Sequence, residues 1–179
     1  MPEIEVRPAT ASDIPSLISL DHNYTTEYVW QMIFQSEHAE GQSINFRRIH
    51  LPRPVRGEYP RSPRSLSKDW EQRSEILVAV FKKQAIGYIS LMLNKAPSTA
   101  WITDLVVARS LRRQGIGSAL LLASLEWATN TGCDHLVLEM QPKNIPAIQL
   151  AQKLGFEFCG YNDLYYPEHE IAIFFQKSI

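Results

Sequence analysis

The sequence predicts an α/β (α+β) fold in which one mixed sheet carries helices on both faces. Three observations predict it. From residue 100 onward apolar strand patterns alternate with helical ones, and that succession requires parallel neighbours in the sheet. Residues 76–93 read as a hairpin around the polar turn Lys82-Lys83-Gln84, so the earlier part of the sheet is antiparallel. The chain has 179 residues, 45% hydrophobic and 21% charged, which suits one domain over 1–179 with one sizeable core.

The elements follow in order. Ile4-Glu5-Val6-Arg7 alternates as a short strand that Pro8 ends. Thr10, Ser12 and Asp13 offer N-caps to an amphipathic helix through Ile14, Leu17, Ile18 and Leu20. A second helix is expected over Thr25–Gln35, with Tyr28, Val29, Met32 and Ile33 as its apolar set. Residues 43–51 alternate as a strand. The stretch 52–70 mixes Pro52, Pro54, Pro60 and Pro63 with arginines and is expected to be a flexible loop, because proline lacks the amide donor. Ala100–Val107 is a nearly continuous apolar strand, as expected of one buried on both faces. Ile116–Trp127 forms a helix closed by Gly132, and His135–Met140 another apolar strand. Asn144 caps a helix that reaches Leu154, with Pro146 in its first turn and Gly155 at its end. Phe156–Tyr161 and Ile171–Gln176 close the chain as strands joined by a polar connection.

Composition narrows the function classes. A formal net charge of −1 gives no general attraction to nucleic acid. Residues 47–64 hold six arginines and one acid, Glu58, but lack the interleaved aromatics of a nucleic-acid surface. They read as a loop or a flap. Cys133 and Cys159 form no framework and no Cys-x-x-Cys pair. The start Met1-Pro2-Glu3-Ile4-Glu5 is acidic, and the longest apolar run, Ala119–Ala123, is too short for a bilayer. A cytoplasmic protein without a membrane partner is expected, as a monomer or homodimer. The five histidines, His38 among them, show no ligand spacing, so no metal is expected.

The chemistry concentrates between the strand Ala100–Val107 and the helix from Ile116. Gly115 and Gly117 let the backbone turn tightly and approach a ligand. The first helical amides point outward without partners, and the helix dipole favours an anion there. Arg109, Arg112 and Arg113 match phosphate geometry. Strand, glycine loop and helix start together read as a phosphate site. The loop lacks the Gly-Lys-Ser/Thr of a nucleotide P-loop, and Leu120 stands where a dinucleotide fingerprint needs its third glycine.

Arg112-x-x-Gly115-x-Gly117 resembles the Q/R-x-x-G-x-G/A signature of the GNAT superfamily of N-acetyltransferases. The likeness extends through Trp101-Ile-Thr-Asp-Leu-Val-Val upstream and Asn144-x-x-Ala147-x-x-Leu150-Ala-x-Lys153-x-Gly155-Phe156 downstream. It implies a mixed, mostly antiparallel sheet of six to seven strands whose central parallel strands splay apart. It implies acetyl-CoA as donor, with the pyrophosphate on the amides of Arg113, Gln114, Gly115, Ile116, Gly117 and Ser118, beside Arg112. The pantetheine would pair with Leu105 and Val107, and an amide of Leu105 or Val106 would polarise the thioester carbonyl. Asn144 and Ala147 would touch the same arm.

The resemblance also exposes a departure. The family often has a tyrosine in the Asn144 helix as general acid, and that position is Ala151 here. The tail from Gly160 to Phe175 is similar to the end of streptothricin acetyltransferases, and Tyr166 is the expected replacement donor. Asp104 interrupts an apolar strand, where a carboxylate is costly unless bonded or functional, and is the leading candidate base. Glu139, on the next strand, is the second. Tyr28, Trp30 and Asp163 are expected near the acceptor, a small molecule with a primary amine, cationic and streptothricin-like or polyamine- or lysine-like. A protein-directed acetyltransferase and a non-catalytic acyl-CoA sensor stay open as alternatives.

Overall fold

Residues 3–36 and 41–179 are described in a computed structural model of the chain; Met1, Pro2 and His38 lie outside them. The chain runs through β1 (Glu5–Pro8), α1 (Ile14–Ile18), β2 (Tyr24–Ser36), β3 (Gln42–Gly57), α2 (Leu66–Asp69), β4 (Glu75–Phe81), β5 (Gln84–Ala96) and β6 (Thr99–Val107). It continues through α3 (Ile116–Asn130), β7 (His135–Met140), α4 (Ile145–Lys153), β8 (Glu157–Tyr166) and β9 (Glu170–Ser178). Seven strands form the main sheet in the order β1-β4-β5-β6-β7-β9-β8, antiparallel except for the pair β6 and β7. β2 and β3 form a separate antiparallel ribbon.

Three sequence expectations are overturned here. Residues 24–36 are a strand, not a helix. Tyr28, Trp30, Met32 and Phe34 also repeat every second residue, and on β3 they face His50, Arg48, Phe46 and Ile44. Bulky aromatic and β-branched side chains fit that pleat better than a helix. Nor is 52–70 one irregular loop. β3 runs through Pro52 and Pro54 to Gly57, and its pairing jumps from Tyr28–His50 to Thr26–Val55, so Leu51 to Pro54 stand in an irregularity where no ladder bond needs their amides. After it, Pro63–Ser65 makes a single 3-10 turn into α2, and Leu66 is buried. The connection after Tyr161 is likewise strand as far as Tyr166.

Alternation on the sheet sorts the core into two layers. Leu77, Ile89, Leu91, Ile102, Leu138 and Ile173 pack with Ile116, Leu120 and Leu121 of α3 and Ile148 and Ala151 of α4. Ile76, Val78, Tyr88 and Val106 pack on the other face with Ile14 and Leu17 of α1 and with Leu66. The ribbon is pinned to the main sheet by aromatics: the Trp30 ring lies 5.6 Å from Phe175, and Phe46 lies 5.2 Å from Phe158.

The site is set by where β6 and β7 part. Their parallel register covers only Thr99–Ile102 against His135–Leu138, while β6 continues to Val107. On its other edge β6 stays paired to β5, with a bulge that leaves Thr103 between the pairs Leu91–Ile102 and Ser90–Asp104. The second half of β6 therefore keeps one edge for another occupant.

Candidate active site

The open edge of β6 borders a groove of about 520 Å³. Leu105, Val106, Val107, Arg112, Arg113, Gly115, Gly117, Ser118, Asn144 and Ala147 line it, together with Tyr24. The loop before α3 is built for close approach. Gly115 is the N-cap in the left-handed conformation (φ 87°), and having no side chain it leaves the first amides of the helix uncapped. A Cβ on Gly117 would lie 3.2 Å from Leu150 Cδ2, so α4 packs against this turn. Arg113 also takes positive φ, 63°. Asn144 caps α4: its Oδ1 accepts from the Ala147 amide at 3.2 Å. Gln114 of the same loop is not among the groove residues; its amide group donates to the Ser110 carbonyl at 3.4 Å. Ile116 is buried in the core.

Arg112 acts as a strut. Its Nε donates to the Val107 carbonyl at 2.9 Å, Nη1 to the Asn23 carbonyl at 2.6 Å, and Nη2 to the Asp21 carbonyl. The Val107 carbonyl thus accepts from Arg112. The carbonyls of Thr103 and Val107 both point to the open edge, where Arg61 and Arg112 meet them. Alternation along the strand gives Leu105 the same direction, so its N–H and C=O face the groove. Val106 points its backbone to Tyr88 on β5.

The two acids meet at the parting of the strands, each 5% exposed. Asp104 accepts from the Tyr59 phenol and from Thr103 Oγ1 at 2.8 Å, with Arg61 and Arg73 at 3.7 and 3.8 Å. Burial first, then repulsion by Glu139, pushes its pKa up to about 7. Glu139 accepts from Arg61 Nη2 and from the Tyr165 phenol. The arginine-proline stretch, read in the sequence as a loop or flap, thus delivers Tyr59 and Arg61 to this cluster. Nothing in its composition marked these two among its neighbours.

Tyr166 is buried and 5.2 Å from the Arg61 guanidinium by its ring, and burial raises its pKa. Its neighbour Tyr165, which no local pattern distinguishes from Tyr166, donates to Glu139. Trp30 serves the aromatic contact with Phe175, Tyr28 stacks under Arg48 at 3.9 Å, and Asp163 is exposed on β8.

A family model described as the acetyltransferase (GNAT) family matches residues 30–156. The chain belongs to that family. As a GNAT acetyltransferase it is an acyltransferase, with acetyl-CoA as donor. Among its relatives, a streptothricin acetyltransferase of Streptomyces lavendulae is 27% identical over 90% of this chain and 86% of its own. Streptothricin acetyltransferase A of Bacillus subtilis is 29% identical over 68% and 72%. A crystal structure of nourseothricin acetyltransferase superposes with a TM-score of 0.81 at 23% identity, covering 98% of each chain. That of a putative streptothricin acetyltransferase from Bacillus anthracis, in complex with acetyl coenzyme A, gives 0.78 at 21%, covering 99% and 100%. The GNAT fold of the main sheet is thus shared along the whole chain.

The groove suits the GNAT donor on this chain's own features. The uncapped helix start offers amides to a diphosphate, glycines at 115 and 117 let it approach, and Leu105 offers an unpaired strand edge. Among the described residues no helix is long and apolar enough to cross a membrane.

Proposed function

We propose that this chain acetylates a primary amine of a small cationic acceptor, with Asp104 as general base. The single observation that carries the reading is the carboxylate of Asp104, buried where β6 and β7 part and one residue before the groove-facing backbone of Leu105, its pKa pushed up to about 7 by that burial. A base poised near neutrality is suited to taking the ammonium proton. The Leu105 amide faces the position in which a thioester carbonyl would develop negative charge. When bound, acetyl-CoA supplies an activated acetyl group; the chain supplies position, an oxyanion donor and a proton acceptor.

Two observations support a cationic acceptor. Between Leu154 and Gln176 the chain has acids, Asp163 and Glu168 among them, and no lysine or arginine. The relatives described as streptothricin acetyltransferases match most of this chain. Because Arg61 and Arg73 stand beside Asp104, the attraction for a cation comes from the β8–β9 end rather than from the base.

The test is release of free thiol from acetyl-CoA with streptothricin, lysine, spermidine and amino-terminal peptides as acceptors. Turnover with a small cationic amine and none with the peptides is expected. Turnover with the peptides alone would make the chain a protein acetyltransferase, and coenzyme A binding without any turnover would make it a sensor.

A further inference from the structure

We propose that Tyr24 is the catalytic residue that protonates the departing sulfur of acetyl-CoA. The inference rests on the acetyl-transfer reading above. Position 151, where the family often keeps a tyrosine, holds an alanine that is fully buried on the core-facing side of α4. A proton donor for the thiolate must therefore come from another element.

Among the described residues that line the groove, Tyr24 carries the one phenol. It opens β2, immediately after the Asp21–Asn23 loop that Arg112 grips by two carbonyls. Its ring lies over Gly57, and a Cβ there would stand 2.2 Å from a ring carbon, so the ring fits because residue 57 has no side chain. Its oxygen donates to Gln141 Oε1 at 2.8 Å, just past the end of β7. Gln141 Nε2 in turn donates to Glu170, which pairs with Lys143. Ring and hydroxyl are thus fixed between the open edge of β6 and the end of β7, the gap that the thioester must enter.

The surroundings suit a donor and not a base. Burial and the Glu170 charge push the phenol pKa up, so its proton is present across the neutral range. His22 borders the same groove, but burial pushes its pKa down and it is bonded to the Leu20 carbonyl and Tyr88. Tyr165 and Tyr166 belong with Glu139 and Arg61 and do not border the groove.

The step balances. The acceptor nitrogen, its ammonium proton already taken by Asp104 and released to solvent, forms its bond to the carbonyl carbon and gives up a second proton to Asp104 or water. The carbon–sulfur bond breaks with its electron pair going to sulfur, and Tyr24 turns its one phenolic proton from Gln141 Oε1 to the sulfur and passes it there. Tyr24 then regains a proton from solvent, and the sum is amine plus thioester giving amide plus thiol.

The experiment compares wild type with Tyr24→Phe. Coenzyme A affinity is measured by calorimetry, and the bound thiol is titrated by its ultraviolet thiolate absorbance. Losing a hydrogen-bond donor to sulfur should raise the bound thiol's pKa by about one unit. Affinity should stay within about threefold, and kcat with the amine that the acceptor panel selects should fall about 10- to 100-fold. The same thiol titration in both proteins would overturn the role of Tyr24 while leaving acetyl transfer intact. Absence of coenzyme A affinity in the wild type would overturn both. Should the variant not fold, a crystal structure of the wild type with coenzyme A decides. A phenol oxygen within about 4 Å of sulfur supports the role, and one separated from it by other side chains overturns it.

Discussion

Asp104 carries two consequences that a single substitution separates. As the proposed base, with its pKa pushed up to about 7, it should give turnover that rises with pH through neutrality. Asp104→Asn should remove that limb of the pH profile and lower kcat by about 10²- to 10⁴-fold, with acetyl-CoA affinity retained. The same residue bears on stability. The folded chain holds the Asp104 proton to about pH 7, whereas unfolded chain releases it near 3.8, so folding takes up a proton between these values. Its contribution to stability therefore declines as pH rises from about 4 to about 7. Thermal melts across that range should fall less steeply for the asparagine variant. At the donor end, Gly117→Asp sets a carboxylate against the helix start and crowds Leu150, 3.2 Å from the added Cβ. Calorimetry should find coenzyme A binding lost; unchanged affinity would remove the diphosphate seat from this loop.

At the scale of elements, α4 offers the cleanest measurement. Asn144→Ala takes the acceptor away from the Ala147 amide and should cost about 1 kcal/mol, read as a lower urea midpoint. This cap was legible in the sequence because Asn144, Pro146 and Gly155 are local signals with local causes. The glycine loop and the buried strand before it were legible for the same reason. β2 was not: Tyr28, Val29, Met32 and Ile33 satisfy a helical spacing while Tyr28, Trp30, Met32 and Phe34 satisfy a strand spacing, and only a partner strand decides between them. The prolines of β3 misled because their tolerance depends on an irregularity in the pairing with β2, which is a relation between two strands. The acid cluster was half legible. A carboxylate within an apolar strand announces itself, but the groups that hold it, Tyr59, Arg61 and Arg73, arrive from 31–45 residues away in the chain.

For the whole molecule, the donor groove draws on β2, β6, α3 and α4 together, so ligand binding should stabilise the fold as a unit. Coenzyme A at a hundred times its Kd adds about 2.7 kcal/mol. In a domain of this size that shifts Tm upward by about 5–10 °C. Differential scanning calorimetry checks it, and a Tm indifferent to coenzyme A would contradict the groove as its site. The strut of Arg112 has a consequence of its own. One guanidinium fastens the β6 carbonyl at Val107 and the two carbonyls that lead into Tyr24, so two walls of one groove hang on a single brace, and Arg112→Ala should slacken both together, read as weaker coenzyme A binding by calorimetry.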